Sequence, residues 1–345
     1  RLPMFEHELE GTEEEFYPPQ VEAGRLKTFI ETELSECQAN LPEKWNTNMA
    51  GRVTKYTAAA LLGKYYMFIG EKAKAKTEFW KVIDSHRYEL MENYGDNFNG
   101  LHENNKESIL EVQFTGSLEG GHYEYNLFTL HLGPDSGCGA YEEAYPSKWL
   151  FNTLKKDLTE DGEYSDRLYE TIIFDDPKSR PFYYEDGKGF SDYHQEDNIY
   201  WRKYVTYDKS LGDYWDYSGF NIPLIRYADI LLLYAECLND EGNSKEAIKY
   251  INKVRDRVHV TPLSDTLSKE QVLKHLQDVE RPCELALEGS RWYDLIRWGI
   301  VEDALKSHEK PFASNFISTK HIRLAIPHKE FLMNPDWVQN EGYTK

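Results

Sequence analysis

The chain has no long apolar run. None of its 345 residues fall in an uninterrupted apolar stretch of the roughly 18 residues or more that a membrane-spanning helix needs. It also lacks a basic excess: 40 Lys and Arg stand against 60 Asp and Glu, a formal net charge of −20. A nucleic-acid binder must neutralise phosphates, so nucleic acid is excluded as a partner. Electrostatic docking on anionic lipid is excluded for the same reason. An acidic field repels acidic ligands and favours a neutral one, unless the charge serves solubility alone.

Cysteine is sparse. Cys37, Cys138, Cys237 and Cys283 show no CxxC spacing and no His at zinc-ligand spacing. Two disulfides could form, but the wide spread suits unpaired thiols, with Cys237 and Cys283 inside helical patterns as core residues. The 11 His are scattered, without helical partners three or four residues away. There is no G-x-S-x-G, no H-E-x-x-H, no P-loop and no dinucleotide fingerprint. So many acids guarantee chance carboxylate pairs, which therefore carry no glycosidase signal. Nothing points to an enzyme, a metal or a cofactor. No secretion signal is present, but the chain opens on Arg1 rather than Met. It is expected to be a processed or truncated product, whose missing start has room for a secretion or lipidation signal.

What the chain has is rings. Its 25 Tyr, 16 Phe and 8 Trp make up 14% of it, while the mean hydropathy is only −0.71. A hydrophilic chain with so many rings is expected to keep some at the surface, where Tyr and Trp suit interfaces and ligand platforms.

The rings are unevenly placed. Residues 1–20 are acidic and aperiodic, an extended loop. Residues 21–41 carry apolar residues at helical spacing. Residues 53–86 form a helical hairpin in which Leu62, Gly63, Tyr66, Gly70, Ala75 and Phe79 match the tetratricopeptide pattern. Gly63 and Ala75 let the helices approach, and Tyr66 and Phe79 fill the space beside them. Residues 227–258 repeat the hairpin, with Gly242 in the place of Gly70, Ala235 for Gly63, Ala247 for Ala75 and Ile251 for Phe79. Two separated units call for further helices to stack on. Between them, residues 108–115 alternate like a strand, and residues 175–220 combine Pro, Gly and Asp with dense aromatics. Residues 269–299 read as a helix broken near Pro282, with Trp292, Leu295 and Trp298 as a core stripe. Glu280, Arg281, Glu284, Glu288, Arg226 and Asp229 read as structural polar groups.

Five blocks in order resemble the SusD/RagB family: GRVTKYTAAALLGKYYMFIG (51–70), ESILEVQF (107–114), NIPLIRYADILLLYAECLNDEG (221–242), ERPCELALEGSRWYDLIRWG (280–299) and IPHKEFLMNPDWVQNEGY (326–343). The resemblance covers nearly the whole chain. Departures are Pro282 in place of a more usual Arg, Ala286-Leu287 in place of an aromatic pair, and a chain shorter than family members usually are. The expected fold is mainly α: a tetratricopeptide-like helical hairpin scaffold with a large loop-rich insertion and little β. It is expected as a single domain over 1–345 lacking its N-terminal part. The scaffold would be 21–90 and 221–299, the ligand-facing loops 100–220 and a C-terminal coil 300–345.

The resemblance implies a glycan-capturing protein on the external face of a Bacteroidota outer membrane, held by a lipid anchor upstream of this chain. Its partner would be a SusC-like TonB-dependent transporter, and the isolated chain would be a monomer. Peptide capture within the same family and a tetratricopeptide interaction scaffold are the alternatives. For a sugar, rings stack on C–H faces while polar groups take the hydroxyls. The segment 207–217 fits, with Trp215 as main platform, Tyr214, Tyr217 and Tyr207 beside it, and Asp213 for hydroxyls. The alternative for Trp215 is a plug beneath the loop. Tyr183 and Tyr184 form a second candidate platform, and Tyr123 and Tyr125 a third.

Overall fold

A computed structural model describes residues 2–5, 17–119, 122–135, 140–179, 188–205, 218–308 and 310–345. The contacts divide the chain into two compact units: residues 41–291, and residues 1–40 together with 292–345.

The larger unit is built on two helical hairpins. Helices α2 (Lys55–Phe68) and α3 (Lys72–Asp84) form the first, and α7 (Tyr227–Asp240) and α8 (Ser244–Arg257) the second. Each turn carries a left-handed glycine, Gly70 or Gly242, a backbone state that glycine enters without a Cβ penalty. Thr54 and Thr57 close α2 with a reciprocal capping box. Gly63 lies against the Phe79 ring, and Ala75, Ala235, Ala247 and Ile251 are all fully buried. The repeat read from the sequence is therefore the packing pattern of both hairpins.

The second hairpin itself supplies the neighbour that the first requires. Helix α3 packs on α7, where Trp80 stacks on Tyr234 at 5.7 Å. Lys76 pairs with Glu241 at 2.5 Å, and Lys64 reaches Asp229. Strands β3 (Ser108–Val112) and β8 (Ile222–Arg226) pair antiparallel, joining the chain after one hairpin to the chain before the other.

The helical block after α8 is shorter than the sequence pattern suggests. It runs as α9 (Lys269–His275), a π turn at 276–280 and α10 (Arg281–Glu284). Pro282 has no N–H to donate, and its ring would crowd the carbonyl four residues back; the wider π turn relieves this. Beyond α10 the chain turns through Leu287 and Gly289, both left-handed, before α11 (Arg291–Trp298).

The insertion between the hairpins is short helices and two-residue to five-residue strands. These are β4 (Thr115–Glu119), β5 (His122–Glu124), α4 (Phe128–Leu132), α5 (Lys148–Lys156), α6 (Asp166–Thr171), β6 (Ile172–Ile173) and β7 (Tyr200–Trp201). They pack into a core that includes Leu154, Leu168, Ile172 and Trp201 together with Cys283 and Ala286 from the block after α9. The mainly helical, tetratricopeptide-like fold with little strand is thus present, and much of the insertion is packed rather than open loop.

The smaller unit holds β1 (Leu2–Pro3), β2 (Gln20–Val21), α1 (Ala23–Asn40), α12 (Val301–Ser307), α13 (Ser318–His321) and α14 (His328–Met333). The coil expected over 300–345 is corrected: it contains three short helices, each too brief to show a helical period. Helix α1 is present, but none of its residues is buried. Trp292 is likewise not core: it is 39% exposed, and its ring meets the edge of Phe316. Leu295 is buried with Val301 and Ala304, and Asp294 pairs with Arg297 at 2.9 Å. Cys37, Cys237 and Cys283 are free thiols, the last two buried.

The close helix contact gives a direct test. A Cβ at Gly63 would lie 2.5 Å from Cε1 of the fully buried Phe79. Helix propensity alone favours Ala by about 1 kcal/mol. Overpacking of this kind costs about 1–3 kcal/mol, so Gly63→Ala is expected to lower stability in denaturant melts. An unchanged or raised midpoint would show that Phe79 gives way freely.

Candidate ligand-binding site

The residues singled out for ligand contact, Tyr207, Asp213, Tyr214, Trp215 and Tyr217, lie outside the described residues, as do Tyr183 and Tyr184. Tyr123 lies on β5, and Tyr125 just after it is half-buried. The described chain on both sides of 206–217 shows how that segment is rooted.

Its first root is Lys203 to Val205. Lys203 is wholly buried, and its ammonium donates to the carbonyls of Glu284 (2.9 Å) and Ala286 (3.1 Å) and to Glu288 Oε1 (2.8 Å). It also sits 4.4 Å from the Phe98 ring centre. Burial pushes Lys203 down to about 8, against the pull of Glu288, which leaves it charged at neutral pH. Tyr204 is packed among Phe98, Phe128 and Phe220. The second root is Ser218, which exchanges two backbone hydrogen bonds with Asn126. Asn126 also donates to the Phe220 carbonyl at 2.8 Å. Asn221 then donates to Glu111 (2.9 Å) and Gln113 (3.0 Å) and accepts from the Phe114 N–H (2.8 Å).

These roots belong to a larger buried charge network. Arg226 binds Glu107, Glu284 and Glu288; Arg257 binds Glu107 and Glu284. Arg167 and Arg255 both bind Asp157 and Glu280. The polar groups assigned to structure from the sequence are all buried, apart from Glu288 at its rim.

Beside the first root lies an exposed tyrosine face. A Cβ at Gly133 would lie 3.4 Å from Val205 and 3.6 Å from Ala140, so the segment from 140 onward runs close to Val205. Tyr141 and Glu143 donate backbone hydrogen bonds to Leu130 and His131 of α4. Tyr141 is 60% exposed and Tyr145 54% exposed. Tyr141 meets His131 edge-on at 5.5 Å, and His131 Nδ1 lies 2.7 Å from Glu143. Glu142 is left-handed, φ 49°, and its carboxylate accepts from the Asp135 N–H (2.7 Å) and the Tyr145 hydroxyl (3.0 Å).

Beneath Tyr145 lies Tyr200, 5.7 Å between ring centres. Its hydroxyl accepts from Asn198 (3.0 Å) and shares a hydrogen bond with His194 Nδ1 (3.1 Å). Burial pushes Tyr200 up to about 12 and pushes His194 down, so both are neutral at physiological pH. The face therefore offers exposed rings edged by carboxylates on a neutral, hydrogen-bonded support. Such a surface suits a flat ligand with apolar faces and hydroxyl edges. Among the described residues, no group of three or more His, Cys, Asp or Glu is arranged to hold a metal ion.

Comparison with known proteins decides the family. The SusD family model matches residues 37–343. The chain belongs to the SusD family. SusD-like protein P25 of Formosa agariphila is 26% identical over 92% of this chain and 64% of its own length. SusD-like protein P2 of the same organism is 27% identical over 84% of this chain and 60% of its own length. The chain thus spans less than two thirds of these curated SusD relatives. Among solved structures, a SusD superfamily protein from Bacteroides vulgatus superposes with TM-score 0.82 at 27% identity, covering 95% of this chain and 70% of that one. A laminarin-binding SusD-like protein superposes with TM-score 0.74 at 26% identity, covering 99% and 74%. In this SusD-family chain no helix of the described residues is long and apolar enough to cross a membrane.

Sequence reasoning missed Tyr141, Glu142 and Tyr145. The signal was available: AYEEAYPSKW (140–149) alternates rings with acids as 207–217 does.

The root network has a pH signature. Burial alone would raise Glu284, but Arg257, Arg226 and Arg167 outweigh it and bring it to about 2. Arg167 and Arg255 likewise hold Glu280 well below its ordinary value against burial. A carboxylate depressed in the fold stabilises it above the unfolded value of about 4.3, and that stability is lost as pH falls toward the folded value. The melting temperature is therefore expected to fall steeply between about pH 4.5 and pH 2. Glu284→Gln should lower stability at pH 7 by about 3 kcal/mol or more and flatten this acid slope. An equally steep slope in the variant would assign the acid loss elsewhere.

Proposed function

We propose that this SusD-family protein captures oligosaccharide or polysaccharide at the cell surface and delivers it to a TonB-dependent outer-membrane transporter. It acts by binding alone and performs no catalysis. A lipid anchor upstream of this chain holds it on the external face of the outer membrane. The observation that carries the reading is the exposed Tyr141–Tyr145 pair with Glu142 and Glu143, beside the root of the segment bearing Tyr207, Asp213, Tyr214, Trp215 and Tyr217. Both pieces place rings and carboxylates in alternation, which serves the faces and edges of sugar rings. The similarity to a laminarin-binding SusD-like protein supports the glycan class.

Losing one ring from such a platform removes roughly 1–2 kcal/mol of apolar contact, about tenfold in affinity. A glycan array followed by calorimetry is expected to find a ligand. Trp215→Ala and Tyr141→Ala should each weaken it about tenfold at unchanged melting temperature. Unchanged affinity in both would remove this face from the site. Release of reducing ends from the bound glycan, abolished by a carboxylate variant, would overturn the non-catalytic reading. Native pull-down from outer membranes should bring down a large barrel protein, and its absence would remove the transporter from the proposal.

A further inference from the structure

A groove elsewhere in the larger unit has a different character from the tyrosine face. The 43–54 segment, the chain after α3 and residues 104–111 enclose a groove of about 630 Å³. That falls within the ~300–1,000 Å³ of ordinary ligand pockets. It shares no lining residue with the tyrosine face.

Its charge runs against that of the whole chain. Lys44, Arg52, Arg87 and Lys106 line it, against Glu43 and Glu111, in a protein of net charge −20. The two acids are already committed. Glu111 is buried and accepts from the Asn104 N–H (3.0 Å) and from Asn221 (2.9 Å). Glu43 is shared by Lys55 and Arg87, each at 2.9 Å. Lys106 is held by Glu89 at 3.1 Å. Lys44 and Arg52 have no carboxylate partner among the described residues. Their charge is uncompensated at short range.

Arg52 is also pre-positioned. Its guanidinium lies 5.5 Å over the Trp45 ring, and Trp45 is fixed by donating from Nε1 to the Val53 carbonyl at 2.8 Å. A cation held on a ring loses less freedom when it takes up an anion. Asn46 and Thr47 add an amide and a hydroxyl to the lining, alongside the apolar Met49, Ala50, Ile109 and Leu110. His86 lines the groove in left-handed backbone at φ 51°, while the Asn104 amide is taken up by Gln113 in two hydrogen bonds of 2.9 and 3.1 Å.

We infer that this groove is a second binding site, for an acidic oligosaccharide. Its carboxylate or sulfate group sits on Lys44 and Arg52, and its hydroxyls meet Asn46 and Thr47. Charge-assisted hydrogen bonds to a guanidinium are strong enough to anchor such a group. The choice of a saccharide over another polyanion rests on the glycan reading above; the groove's charge does not.

Calorimetry on the whole chain tests this with four probes: a galacturonic acid tetramer, a sulfated galactan tetramer, a neutral galactan tetramer and polyglutamate. At least one acidic tetramer is expected to bind, more weakly as NaCl rises. The Lys44→Gln/Arg52→Gln double variant, changed only at exposed positions, should weaken it at least about tenfold. Arg52→Lys should restore part of that loss, and Tyr141→Ala should leave it unchanged. The two acidic arms separate carboxylate from sulfate recognition. No binding by either acidic tetramer, equal binding by the double variant, or equally tight binding of polyglutamate would overturn the inference. Acidic binding that survives Tyr141→Ala while neutral glycans fail to bind anywhere would uphold the groove and remove the tyrosine face. The reverse result would do the opposite.

Discussion

The Arg226 guanidinium is the point on which the larger unit depends. It is fully buried at the junction of β8 and α7, where the backbone turns from strand into helix. Its partners Glu107, Glu284 and Glu288 come from two distant stretches of chain. Glu107 leads into β3, which pairs with β8, and Glu284 ends α10. One side chain therefore ties the second hairpin to the strand after the first and to the block after α8. Arg257 bridges Glu107 and Glu284 again from the end of α8. Each carboxylate thus meets more than one cation, which a buried charge requires if it is to stay ionised.

The frame matters for the proposed function because it holds the chain on either side of 206–217. Lys203 donates to the backbone of the same block that holds Arg226, and Tyr204 beside it closes an aromatic cluster with Phe98 and Phe220. Asn126 and Asn221 clamp the other root to β3 and to the start of α4. The described chain on either side of 206–217 is therefore held by buried polar contacts. A binding loop on such roots loses less freedom on meeting its ligand than one hung between mobile ends.

The parts of the fold visible in the sequence are those that depend on short-range rules. Gly63, Gly70, Ala75 and Phe79 mark a hairpin because close helix approach and a left-handed turn restrict residue type locally. The family blocks could be recognised for a related reason: Arg226, Asp229, Glu280, Arg281 and Glu284 are buried charges, and few other residues fit there. What was hidden depends on context. Helix α1 shows apolar spacing, yet none of its residues is buried in this chain. The three short helices after residue 300 span too few turns to show a period. Tyr141 and Tyr145 looked like any other tyrosines, because their exposure depends on the 140–143 backbone lying along α4. The ring-and-acid alternation that drew attention to 207–217 was present there too. Applied evenly along the chain, it would have found both segments.

The network also has an energetic logic that burial alone does not supply. Replacing a buried ion cluster by apolar residues of similar volume is often neutral or stabilising, so these charges are not needed for stability as such. Their contribution is directional. An apolar patch among Glu107, Arg226 and Glu284 would still be buried if β3 slid along β8, since hydrophobic contact has no preferred register. The β3–β8 pair already contains register shifts on either side of Leu110, so backbone pairing alone constrains it weakly. The bonds from Arg226 to Glu107 and to Glu284, unlike apolar contact, depend on direction and distance. In the observed register Ser108 lies opposite Arg226, Arg226 reaches both Glu107 and Glu284, and Asn221 reaches Glu111.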